Sequence, residues 1–227
     1  MRRFIRNNRF LYPLYVRRVY LNRRAVFPCK ETQLHLTGFQ RSANTYCYNI
    51  VSTALPELKL STHIHTTASL KLAKYYEVPT ILLLRDPFAT CGSWFLKGKI
   101  DPQSSDIERV LLDYIEYHRY ALAEVDSWNV VSFQNAISSP EYILHYVVKM
   151  LGLSMDKAAV EEGAIAGQKV VEDKERTKKP EGGSLPNKDR TRRKEQLRDR
   201  FNAAVSYNEA HRLYRKLLER EKALSDL

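Results

Sequence analysis

The run Thr80-Ile81-Leu82-Leu83-Leu84 constrains this chain most. A short, nearly unbroken apolar stretch of this kind suits a central strand of a parallel sheet covered on both faces. Its neighbours support that reading. Gln33 to Phe39 reads as a first buried strand, Leu58 to Thr62 as a short second one, and Val130 to Phe133 as another. Helical patterns alternate with them at Asn44 to Leu55, Thr66 to Tyr76, Phe88 to Leu96 and Ile107 to Val125. Ser139-Pro140-Glu141 opens a further helix through Leu151, which Gly152 ends. Strands alternating with helices predict an α/β fold, a central parallel sheet flanked by helices in three layers. Ligands of such sheets sit at the carboxyl ends of the strands. The residues just after Phe39, Thr62 and Leu84 are therefore expected to line the site.

The chain of 227 residues suffices for one sizeable α/β domain. With 44% hydrophobic and 28% charged residues it has a globular composition. Its net charge of +11 points to an anionic partner without choosing among nucleic acid, a lipid surface and a phosphorylated small molecule. The three cysteines, Cys29, Cys47 and Cys91, form no CxxC pair, which fits reduced thiols in a cytosol. Residues 1–30 form a basic N-terminal segment, and 31–227 read as a single domain. The N-terminal segment mixes arginines with Phe4, Phe10, Leu11, Tyr15 and Val19. It reads either as an amphipathic segment in peripheral contact with anionic lipid or as a helix packed on the domain. From about 172 to 190 charge and Pro/Gly density rise, as in a flexible loop that runs into a basic helix. A last amphipathic helix is expected over roughly Asn202 to Leu224.

Two stretches carry the chemistry. Strand one runs into Gly38-Phe39-Gln40-Arg41-Ser42-Ala43-Asn44-Thr45-Tyr46. Backbone N–H groups at the helix start that follows bind anions, aided by the helix dipole. Arg41 adds fixed charge, and Ser42 and Thr45 add hydroxyl donors. A nucleotide triphosphatase loop requires Gly-Lys where Ala43-Asn44 stand, so a kinase-like phosphotransferase is the weaker reading. A capped strand-to-helix turn is the plain structural alternative. The third strand runs into Arg85-Asp86-Pro87, with Ser93 eight residues after Arg85 and then Trp94-Phe95. Asp86-Pro87 makes a turn that folds the chain back between Arg85 and Ser93.

Together these stretches resemble the P-loop sulfotransferases that use 3′-phosphoadenosine-5′-phosphosulfate (PAPS). Arg41-Ser42-Ala43-Asn44-Thr45-Tyr46 is similar to the family's Lys-Ser-Gly-Thr-Thr-Trp loop for the 5′-phosphosulfate. Arg85 and Ser93 resemble its 3′-phosphate pair. The resemblance covers about the first 135 residues and departs from the pattern at Arg41 and Ala43. It implies a P-loop NTPase-like fold, no metal, transfer of a sulfuryl group to a hydroxyl or amine, and 3′,5′-bisphosphoadenosine as product. It implies His63 as general base, with His65 the alternative, and Arg41 as electrostatic stabiliser of the leaving phosphate. A late basic segment often covers the 3′-phosphate in the family, which makes Lys188 and Arg190, then Arg193, candidates. The acceptor expected is a carbohydrate or glycolipid hydroxyl. A basic nucleic-acid-binding protein is the non-enzyme alternative, though no nucleic-acid module is apparent and no such partner is expected.

Overall fold

The computed structural model describes residues 8–12, 14, 27–98, 100–176 and 188–221. Four parallel strands form one sheet: β1 (Leu34–Gly38), β2 (Leu60–Ser61), β3 (Thr80–Leu84) and β4 (Asn129–Ser132), in the order β2-β1-β3-β4. Helices α1 (Asn44–Ala54), α2 (Thr67–Tyr75) and α3 (Pro87–Gly98) follow β1, β2 and β3 in turn. Next come α4 (Ser104–Ala123), the short α5 (Phe133–Ala136), α6 (Pro140–Met150) and α7 (Lys157–Arg176). The chain closes with α8 (Lys188–Glu195), α9 (Arg198–Asn202) and α10 (Tyr207–Leu218). The expected three-layer α/β fold is the one found.

Alternation along the strands builds the layers. Ile81 and Leu83 of β3 join Leu34, Leu36 and Val131 beneath α1, α6 and α7. Leu82 and Leu84 face the opposite way, with Val130 and Phe39, into α2, α3, α4, α9 and α10. β1 departs from a simple apolar pattern on that second face, where His35 and Thr37 are fully buried. His35 Nδ1 and the Thr37 hydroxyl are satisfied by partners from other elements, while His35 Nε2 has none among the described residues. His35 Nδ1 lies 2.8 Å from Ser61 Oγ, and Thr37 Oγ1 donates to the Ile64 carbonyl and lies 3.2 Å from the Tyr117 hydroxyl. Sites that look like sequence errors in a strand are thus lateral ties.

β1 is joined to β2 on one side, and the chain then crosses to β3 on the other. The connections therefore part between the carboxyl ends of β1 and β3, where such sheets bind ligands. Gly38 stands opposite Leu83 there. A Cβ on Gly38 would lie 2.3 Å from the Leu83 carbonyl oxygen, so the two strand tips approach closely only because that position is glycine.

Three expectations need correction. Residues 172–176 continue α7, and 188–190 already belong to α8; only 177–187 of the expected loop lie outside the described residues. α7 itself went unread because its buried face is mostly small, with Val160, Ala164, Gly167 and Val171 at helical spacing. The expected terminal helix starts later, at Tyr207 rather than near Asn202, because Asn202 ends α9 and Glu108 of α4 accepts the Val205 amide at 2.5 Å and the Ser206 amide at 3.3 Å, which starts α10 afresh. Residues 222–224 of that expectation lie outside the described residues. In the N-terminal segment, the guanidinium of Arg9 lies 4.6 Å from the Tyr75 ring centroid, which ties that short piece to α2. No helix of the described residues is long and apolar enough to cross a membrane.

Two buried histidines set an acid limit on stability. Burial pushes His35 down to about 3 and His118 down to about 4. Both are neutral in the folded chain near neutral pH, whereas their unfolded counterparts take up protons near pH 6.5. Their stabilising contribution is complete above about pH 6.5 and is lost progressively as pH falls toward about 4 and then 3. Urea unfolding near pH 5 should show a loss of about 2 kcal/mol per histidine relative to neutral pH. His118→Gln should remove roughly half of that pH dependence.

Candidate active site

A cleft of about 710 Å³ opens at the carboxyl ends of the strands. Its lining contains Gln40 and Arg41 after β1, His65 after β2, Arg85 after β3 and Phe133 after β4. The size falls within the ordinary range for a nucleotide-sized ligand.

The loop between β1 and α1 forms the floor. Arg41 and Ala43 both hold left-handed backbone, with φ of 69° and 67°. Ala43 is the N-cap of α1, so the helix begins with a strained non-glycine residue. Asn44 holds the turn closed. Its side-chain amide donates to the Phe39 carbonyl at 3.0 Å and lies 3.4 Å from that of Gly38. Asn44 is therefore a brace of the loop first, and a ligand-facing group second. Ser42 is fully buried, and its hydroxyl has no hydrogen-bond partner among the described residues. An orphaned hydroxyl under a helix start is unusual and suits an anion held above it. Thr45 and Tyr46 line the cleft, and burial pushes the Tyr46 phenol up to about 12, so it stays neutral.

The second strand tip is bound to the first. Arg85 Nη1 donates to the Arg41 carbonyl at 2.6 Å, and Arg41 Nε donates to Ser93 Oγ at 3.1 Å. Asp86 caps α3 by accepting the Ala89 amide at 2.8 Å, and Pro87 begins the helix. That turn carries Ser93 back toward Arg85. The Tyr114 hydroxyl pins the Arg85 carbonyl at 2.8 Å. Arg41 thus links the loop after β1 to the one after β3.

His65 lines the cleft, with Nδ1 2.7 Å from the Gly38 carbonyl oxygen. A carbonyl only accepts, so Nδ1 carries a hydrogen, and the neutral form of the ring would have its lone pair on Nε2. His63 is not among the lining residues. Its ring packs against Tyr48 at 5.4 Å and His65 at 6.5 Å, on a left-handed backbone with φ of 63°. Of the two histidines, His65 is the one on the cleft lining and His63 is its ring neighbour.

The late basic segment forms α8. Lys188 and Arg190 begin α8, but their side chains lie outside the described residues. Arg193 is exposed. Lys194, unremarked in the sequence, is half-buried against α3, where a Cβ on Gly92 would sit 2.8 Å from its Cγ. Burial first, and the nearby charge of Arg85 second, hold its ammonium below the usual lysine range. Trp94, Lys97, Ser139 and Gln168 also line the cleft without having been foreseen. Phe133 is expected from the sequence as the last residue of a strand; β4 in fact ends at Ser132, which places Phe133 just after it and on the cleft. Among the described residues no group of three or more His, Cys, Asp or Glu side chains is arranged to hold a metal ion.

No protein-family model matches the sequence, and no curated protein matches it. Among solved structures the chain is similar to a mouse sulfotransferase, SULT7A1, solved in complex with PAP. The likeness has a TM-score of 0.52 at 9% identity and covers 84% of this chain and 90% of the other. It establishes a shared fold, the P-loop-like parallel α/β architecture of that sulfotransferase.

The strain in the loop is directly testable. Ala43→Gly removes the left-handed penalty but adds freedom to the unfolded chain, for a net gain of about 0.5 kcal/mol. A rise in the urea midpoint measures it; a fall would mean that the Ala43 methyl packs usefully.

Proposed function

We propose that this protein is a PAPS-dependent sulfotransferase that acts on a hydroxyl or amine. One observation carries the reading: two cationic strand tips are tied together across a single cleft, through Arg85 to the Arg41 carbonyl and Arg41 to Ser93. A nucleoside with phosphates at both its 3′ and 5′ positions is the ligand that suits two such tips. The shared fold with a PAP-bound sulfotransferase supports the same nucleotide class.

The residues divide as follows. The Ser42 hydroxyl, the start of α1 and Arg41 hold the 5′ end. Thr45 and Tyr46 extend that wall. Arg85 and Ser93 hold the 3′-phosphate, with Lys194 supplying further positive potential from α8. When bound, the nucleotide supplies the sulfuryl group and leaves as 3′,5′-bisphosphoadenosine. Arg41 cannot release its proton, so it stabilises developing anionic charge by electrostatics and hydrogen bonding alone. His65 Nε2 accepts the proton of the acceptor, with the ring held in that tautomer by Gly38. His63 is a second reading for the base, favoured by its left-handed backbone, a form of strain that concentrates at functional sites. The excess of cations supports an anionic acceptor of glycan or glycolipid type, and it suits peripheral contact of the N-terminal segment with anionic lipid. A kinase-like reading lacks the loop lysine that reaches a β/γ-phosphate.

Calorimetric titration with 3′,5′-bisphosphoadenosine, and separately with ATP and magnesium, tests the reading. Tight binding of the first and weak binding of the second is expected; the reverse order would favour the kinase. Arg85→Ala should weaken bisphosphoadenosine binding roughly a hundredfold. His65→Ala should lower turnover by a factor of about 100 or more while binding persists. Full turnover in His65→Ala with loss in His63→Ala would transfer the role to His63.

A further inference from the structure

Arg85 is held by more than its hydrogen bond. Its Cζ lies 3.7 Å from the centroid of the Phe133 ring, directly over the face. The ring belongs to the first residue after β4, and the turn that presents it is fixed from the far end of the chain. Glu221 Oε1 accepts the Ser132 amide at 2.6 Å and the Asn135 side-chain amide at 2.9 Å, while Val130 pairs with Glu221. Ser132 Oγ accepts the Asn135 amide at 3.2 Å and caps the same turn. The backbone that carries Phe133 is therefore held by several bonds.

We propose that Phe133 is a positioning residue that holds the Arg85 guanidinium in its anion-ready plane and so sets preference for a 3′-phosphorylated nucleotide. The inference rests on the nucleotide reading above. A free arginine side chain has many rotamers, and ordering it on binding costs affinity. Here one face lies on the ring and one donor is spent on the Arg41 carbonyl, so the fork presents its edge in a fixed direction. The aromatic face is negative and attracts the cation at this distance. Neither the ring nor the carbonyl carries a formal negative charge, so these two contacts leave the charge of Arg85 in place. A carboxylate in place of Phe133 would order Arg85 equally well but cancel its charge.

The test compares 3′,5′-bisphosphoadenosine with adenosine 5′-monophosphate by calorimetry, in wild type, F133L and a variant carrying 3,4,5-trifluorophenylalanine at 133. The fluorinated ring keeps the shape and weakens the negative face, which preserves the test should F133L fold poorly. Wild type should prefer the bisphosphate strongly. F133L should reduce that ratio about tenfold with 5′-monophosphate affinity unchanged, the fluorinated variant should fall between, and F133W should restore it. A ratio unchanged within twofold in both F133L and the fluorinated variant overturns the proposal, as does an equal loss for both nucleotides. Absence of any preference in wild type would instead overturn the nucleotide reading itself.

Discussion

The close pairing of β1 with β3 governs everything at the carboxyl edge of the sheet. Gly38 opposes Leu83 with no space for a side chain between them, so the loops that leave these strands begin side by side. From that start Arg85 reaches the Arg41 carbonyl, and Arg41 reaches Ser93. His65 enters the same arrangement through the Gly38 carbonyl, which gives one glycine both a packing and an orienting part. The apolar faces of β3 above and below keep the pairing rigid, since each is buried under its own helical layer. A cleft built on such a base has its polar groups fixed before any ligand arrives.

Gathering cations at one edge works against stability when no anion is bound. Arg41 and Arg85 are adjacent, and Lys194 is close enough to Arg85 for its charged form to be disfavoured. Aromatic faces cover part of these cations, Phe133 over Arg85 and Phe88 near Lys194 and Arg198, and Glu195 pairs with Arg198. Left-handed backbone at Arg41 and Ala43 adds strain in the same loop. Clustered cations and strained backbone side by side are common where a surface functions at the expense of stability.

Much of the fold was legible because it is written in period. Thr80–Leu84 matched its strand residue for residue, and β1, β4 and α1 to α4 lie within a few residues of the apolar spacing that announced them. α6 was legible from its cap, Ser139, which accepts the Tyr142 amide, and from Pro140 behind it. Less legible were elements whose order comes from partners distant in sequence. α7 buries small residues that carry little periodic signal. The break between α9 and α10 depends on Glu108, about a hundred residues earlier. In the cleft, Arg41, Tyr46 and Arg85 were legible from their place after strands. Phe133 followed the same rule but bears no charge to draw notice, and Lys194 was one cation among many in its stretch.

By itself, then, the order of residues determined a parallel α/β sheet, the strand ends at which chemistry would gather, and an arginine at two of those ends. These are local matters of hydrophobic period, turn chemistry and fixed charge, legible from short windows. Only the tertiary structure decided which histidine faces the cleft, which late lysine comes near Arg85, and that Glu221 steadies the turn beneath Phe133. Each of these depends on where separate segments come to lie in space, and a side chain's partners are set by that packing rather than by its neighbours in the chain.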